Sequence, residues 1–104
     1  MSKSGYIEEI ATILATSLSH KIGAILGKDK LYRRKYYIEF IQRKEFAKEK
    51  IVSCNLNPQD KQIIKEKIAY RLRKQLEKKE FIGDEKFNLI DSEINELLNE
   101  LGLL

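Results

Sequence analysis

Three residues, Gly27, Pro58 and Gly83, interrupt an otherwise helical rhythm and divide the chain into four segments. Within each segment apolar residues recur at steps of three and four, the signature of an amphipathic helix. A strand needs period-two alternation and β-branched clusters bounded by turns, and no stretch keeps that pattern. The expected fold is therefore all-α: a compact bundle of about four helices, over approximately 6–26, 30–52, 58–79 and 84–101. An open array around one long helix is the alternative. At 104 residues, with 42% hydrophobic and 35% charged residues, the chain suits a single globular domain, 1–104.

Each expected helix carries its own signals. In the first, Ile7, Ile10, Ala11, Leu14, Leu18, Ile22 and Ile25 form one stripe. Gly27 is expected to end it in a left-handed conformation, and Asp29 to cap the second. Tyr36, Phe40, Ile41, Ala47 and Ile51 form the apolar side of the second helix. Asn57-Pro58 is a capping side chain followed by a residue with no N–H to leave unpaired, and Asp60 suits the positive end of the helix dipole. Asp84 is the expected cap of the last helix. There Phe87, Ile90, Ile94, Leu97, Leu101 and Leu104 form a heptad seam widened by Leu98, with Gly102 fraying its end.

The residue inventory excludes several chemistries. A single cysteine, Cys54, rules out a disulfide within the chain. With one histidine, His20, a Cys/His metal cluster cannot form inside a monomer, so no metal or cofactor is expected. The segment Gly23–Asp29 has three residues between its glycines and an Asp after Lys28, where a phosphate-binding loop needs four and a Ser or Thr. His20 has no acid or nucleophile placed beside it in sequence, and Cys54 has only Lys50 nearby as an activating cation. The acid pairs Glu8–Glu9 and Asp84–Glu85 sit at helix starts, where the dipole accounts for them. No catalytic residues are assigned, and an enzyme is not expected.

The N-terminal MSKSGYIEE lacks the apolar core and cleavage site of a secretory signal. Ile7–Leu26 is interrupted by Glu8, Glu9, Ser17, Ser19, His20 and Lys21, so no membrane span is expected. A cytoplasmic location is.

Charge is unevenly distributed. Residues 31–50 hold seven basic and three acidic residues, and residues 51–79 hold eight and three. Residues 80–104 hold one lysine and seven acids. A basic middle beside an acidic end points to electrostatic partners. In the third helix Lys67, Arg71, Lys74 and Lys78 form one stripe beside the apolar stripe Ile64, Ile68, Leu72 and Leu76. Such a row suits backbone phosphates, with counterion release driving affinity. It also suits plain solvation, pairing with Glu93, Glu96 and Glu100 of the last helix, or an acidic protein partner.

The stretch LYRRKYYIEFIQRKEF, residues 31–46, interleaves cations with five aromatic rings. Rings with nearby cations are what single-strand binders use. On a helix, Tyr36, Phe40 and Phe46 are expected in the core, and Tyr32 and Tyr37 point to other sides as candidate contacts.

The leading expectation is a small basic, helical, nucleic-acid-associated accessory protein. Its candidate contacts are Lys67, Arg71, Lys74, Lys78, Arg33, Arg34, Lys35 and Tyr37. The alternative is a protein-interaction module, an adaptor or homodimer, that buries Phe87, Ile90, Ile94, Leu97 and Leu101 against another chain.

Overall fold

The computed structural model describes residues 2–104. They fold as an all-α bundle about 40 × 22 × 22 Å, made of α1 (Lys3–Leu26), α2 (Lys30–Val52), α3 (Pro58–Glu77), the single turn α4 (Glu85–Asn88) and α5 (Ile90–Glu100). No strand occurs among the described residues.

Helix ends follow local chemistry. Ser2 accepts from the Gly5 N–H at 3.2 Å, so α1 begins at Lys3, three residues before the expected start. Asp29 caps α2 by accepting from Leu31 at 2.9 Å and Tyr32 at 3.4 Å. Asn57 and Asp60 form a reciprocal capping box on α3, with bonds of 2.8 and 3.0 Å.

Three expectations about helix ends need correction. Gly27 is not left-handed; its φ of −67° and ψ of 147° are extended. Glycine serves there by close approach, because a Cβ would stand 2.6 Å from the Gly23 carbonyl oxygen. Asp84 makes no side-chain cap, and the expected last helix is broken at Leu89 into α4 and α5. Beside that break the buried Lys86 ammonium donates to the Lys79 carbonyl at 2.8 Å and the Ile82 carbonyl at 3.4 Å, tying α4 to the turn that follows α3. Gly102 does not fray α5. It takes φ +72° and closes the helix in a Schellman arrangement, Leu103 N–H to Leu98 O at 2.7 Å and Gly102 N–H to Asn99 O at 3.2 Å, which buries Leu103.

The helix α1 lies between α2 and α3. The pairs Glu9–Lys50, Ser17–Phe40 and Ala24–Arg33 show α1 and α2 antiparallel. The pairs Lys3–Asp60 and Thr16–Gln75 show α1 and α3 parallel. One end of the bundle therefore gathers the end of α1, the start of α2 and the end of α3. The core is built from Ile7, Ile10, Leu14, Leu18 and Ile22 of α1 with Ile64, Ile68, Leu72 and Leu76 of α3. In contrast, α2 buries only Phe40 and Ala47. Of the rings expected in the core, Phe40 is buried, Tyr36 is half-buried, and Phe46 is 52% exposed.

The C-terminal seam closes within the chain. Ile90, Ile94, Leu97 and Leu98 are buried in the common core, and Phe87 and Leu101 are half-buried against it. This corrects the expectation of a seam left open for another chain. Here α5 packs chiefly on α3 and supplies apolar cover to it, while its acids reach Lys21 of α1 and Lys44 of α2.

Candidate nucleic-acid interface

The basic stripe of α3 divides in two. Lys67 and Arg71 both donate to the carboxylate of Glu8 on α1. Bonds from Lys67 and then Arg71 hold the Glu8 carboxyl below its ordinary range, against a smaller opposing effect of burial. Lys74 and Lys78 are exposed, with Lys74 Nζ 5.7 Å from the Tyr70 ring centre. The acidic row of α5 does not meet this stripe. Glu93 and Glu96 approach Lys21 at 2.5 and 3.6 Å, and Glu100 approaches Lys44 at 2.8 Å.

On α2 the candidates also separate. Arg33 Nε donates to the Ala24 carbonyl at 2.8 Å and so braces the α1–α2 turn. Arg34, Lys35 and Tyr37 are exposed, and the Tyr37 ring leans on Phe40 at 5.7 Å.

The packing of α3 brings further residues to the α1–α2 turn. Phe81, just beyond α3, stacks on Tyr36 with ring centres 6.0 Å apart and planes 8° from parallel. Lys79 Nζ lies 5.0 Å from the Tyr36 ring centre and 5.6 Å from that of Phe81. Burial lowers the Lys79 pKa, with Glu39 opposing the shift. His20 packs 5.5 Å from Tyr36, and its Nδ1 stands 2.9 Å from a Glu39 oxygen. Its pKa is lowered by burial, which outweighs the pull of Glu39; Lys79 and Arg43 add to the lowering.

Between these elements opens a cleft of about 470 Å³, lined by Gly23, Gly27, Lys28, Asp29, Tyr32, Tyr36 and Phe81. Gly23 lies on its floor, where a Cβ would come into ordinary contact with the Tyr36 ring at 3.5 Å. Reading along the chain missed Phe81 and Lys79 as site residues, because they lie far in sequence from Tyr36. The only local signal was a ring following two lysines in Lys78-Lys79-Glu80-Phe81.

No family model, curated protein or solved structure matches the chain. No helix among the described residues is long and apolar enough to cross a membrane.

Proposed function

We propose that this protein binds single-stranded nucleic acid at the cleft beside the α1–α2 turn. The observation that carries the reading is the convergence of three rings, Tyr32, Tyr36 and Phe81, with Lys28 and Asp29 around one cleft, and with Lys79 set beside two of the rings. Stacking on a ring accepts any base, and cations beside the rings meet the phosphates between stacked bases. Lys35 on α2, Lys74 on α3 and Lys78 at its end are exposed cations open to further phosphates. The role is that of a binding accessory, with no chemistry performed on the strand.

The test is binding of labelled single-stranded and duplex DNA and RNA across a salt series. Expected is preference for single strands, with affinity falling steeply as salt rises. Tyr32→Ala, at an exposed position that leaves the core untouched, should weaken binding by about 1–3 kcal/mol, the usual worth of one stacked base. Absence of binding at low salt, or unchanged affinity in Tyr32→Ala, rejects the reading.

A second reading, a protein-interaction module, draws on a different observation: α2 presents Leu31, Tyr37, Ile38 and Ile41 to solvent. Exposed apolar surface gathered on one helix face marks a contact site.

A further inference from the structure

The outward face of α2 has a heptad pattern of its own. Leu31, Ile38, Glu45 and Val52 recur every seven residues. Arg34, Ile41 and Lys48 recur likewise, three positions after the first series. These are the two seam positions of a coiled coil. The face lies opposite Phe40 and Ala47, which anchor the helix to α1. Leu31 is 82% exposed, Ile38 46% and Ile41 40%. Arg34, Glu45 and Lys48 are exposed too, and none of the three joins an ion pair with another described residue.

The order of charges on this face selects its occupant. Ile38 and Ile41 lie symmetrically about the midpoint between positions 39 and 40. Arg34 and Glu45 lie symmetrically about the same point, as do Leu31 and Lys48. Lay a second α2 antiparallel on the first, centred there. Each Ile38 then meets Ile41 of the other copy, each Arg34 meets Glu45, and each Leu31 packs on the aliphatic stem of Lys48. The paired layers span about 25 Å at 1.5 Å per residue. A parallel pairing would set Arg34 on Arg34, Glu45 on Glu45 and Lys48 on Lys48. An anionic lipid surface or a phosphate chain would meet Glu45 on this face, between Ile41 and Lys48.

We propose that α2 is the interface of a two-fold symmetric homodimer, two copies pairing antiparallel through Leu31, Arg34, Ile38, Ile41, Glu45 and Lys48. A two-fold axis uses one patch twice, so the patch must complement itself when reversed. This face does. Tyr37 borders the isoleucines and is covered at the edge. Arg34 thereby leaves the nucleic-acid surface and becomes a pairing residue. The cleft beside Tyr32 and Phe81 lies on another side of α2, so each dimer carries two such clefts. The homodimer stands independently of what the clefts bind.

The test is sedimentation velocity of the full chain from micromolar to millimolar concentration, with circular dichroism confirming helicity in every variant. The wild-type chain should pass from monomer to dimer. Ile38→Glu should leave a folded monomer across the range, as an exposed position tolerates a good helix former. Arg34→Glu and Glu45→Arg should each raise the dimer dissociation constant about tenfold or more by opposing like charges. The double variant Arg34→Glu/Glu45→Arg should restore it. A wild-type chain that stays monomeric throughout overturns the proposal. So does a dimer that survives Ile38→Glu, and so does a double variant as weak as the singles.

Discussion

Consider replacing Leu97 by alanine. Leu97 is 2% exposed and joins the common core from α5, so the change deletes buried carbon and leaves a void. Buried leucine-to-alanine changes cost about 2–5 kcal/mol, the spread reflecting how far the surroundings relax into the cavity. Here α5 is an 11-residue helix whose main helical neighbour is α3, so it can shift inward more easily than a helix clamped on both sides. The lower part of the range applies, about 2–3 kcal/mol. For a domain of this size that lowers the melting temperature by about 10–20 °C. The assay is thermal unfolding followed by circular dichroism at one fixed protein concentration, because self-association would itself move the midpoint. Leu104→Ala is the control: at 63% exposure it should shift stability by no more than about 0.5 kcal/mol. The reasoning fails if Leu97→Ala melts within a few degrees of the wild-type chain. That result would mean the seam is not sealed against α3 in solution and is free for another chain.

Removing the carboxylate that holds two cations should change binding and leave stability nearly as it is. Glu8→Gln should leave the melting temperature nearly unchanged, since exposed ion pairs contribute little. It should steepen the logarithmic salt dependence of single-strand binding by up to about 1.4 if Lys67 and Arg71 both reach phosphates; an unchanged slope places the stripe outside the contact. Ser17→Ala removes the buried bond from Ser17 Oγ to the Phe40 carbonyl at 3.1 Å and should cost about 0.5–1.5 kcal/mol, read by chemical denaturation. Acid should destabilise the fold in two stages. His20 has a lowered folded pKa, so its contribution is present above about pH 6.5 and is lost as pH falls through the folded value; His20→Gln should flatten that part of a stability-versus-pH curve. Glu8, Asp60 and Glu100 also have lowered pKa values, through bonds from Lys67 and Arg71, from Lys3, and from Lys44. Their contributions persist above the ordinary carboxylate range and vanish as pH falls below it, so a second decline below about pH 4 should shrink in Asp60→Asn.

The helices were legible in the sequence because helix formation is settled within a turn or two. Asp29 and the Asn57–Asp60 box sit within bonding reach of the N–H groups they satisfy, and the stripes of α1 and α3 declare a buried face by spacing alone. The break at Leu89 was not legible, and at the junction with α3 Lys86 reaches carbonyls of the preceding segment that no local pattern reveals. Which of the candidate cations stand free was not legible. Arg34, Lys35, Lys74 and Lys78 are exposed, whereas Lys67 and Arg71 are taken up by Glu8, and Arg33 by the Ala24 carbonyl. A cation's availability depends on what packs beside it, and that is a long-range fact.

By itself, then, the sequence determined where helices begin, which stripe of α1 and α3 turns inward, and how charge is shared among segments. Only the tertiary structure decided that α5 closes its seam inside the chain, that Phe81 lies against Tyr36, and that Phe40 and Ala47 are the side chains α2 buries. The physical reason lies in the central position of α1. Its two packed sides are filled by α2 and α3, and α5 packs chiefly on α3, so the outer face of α2 stays exposed among the described residues. Which apolar face stays in water is decided by the competition among helices for a finite core, and no single helix carries that information.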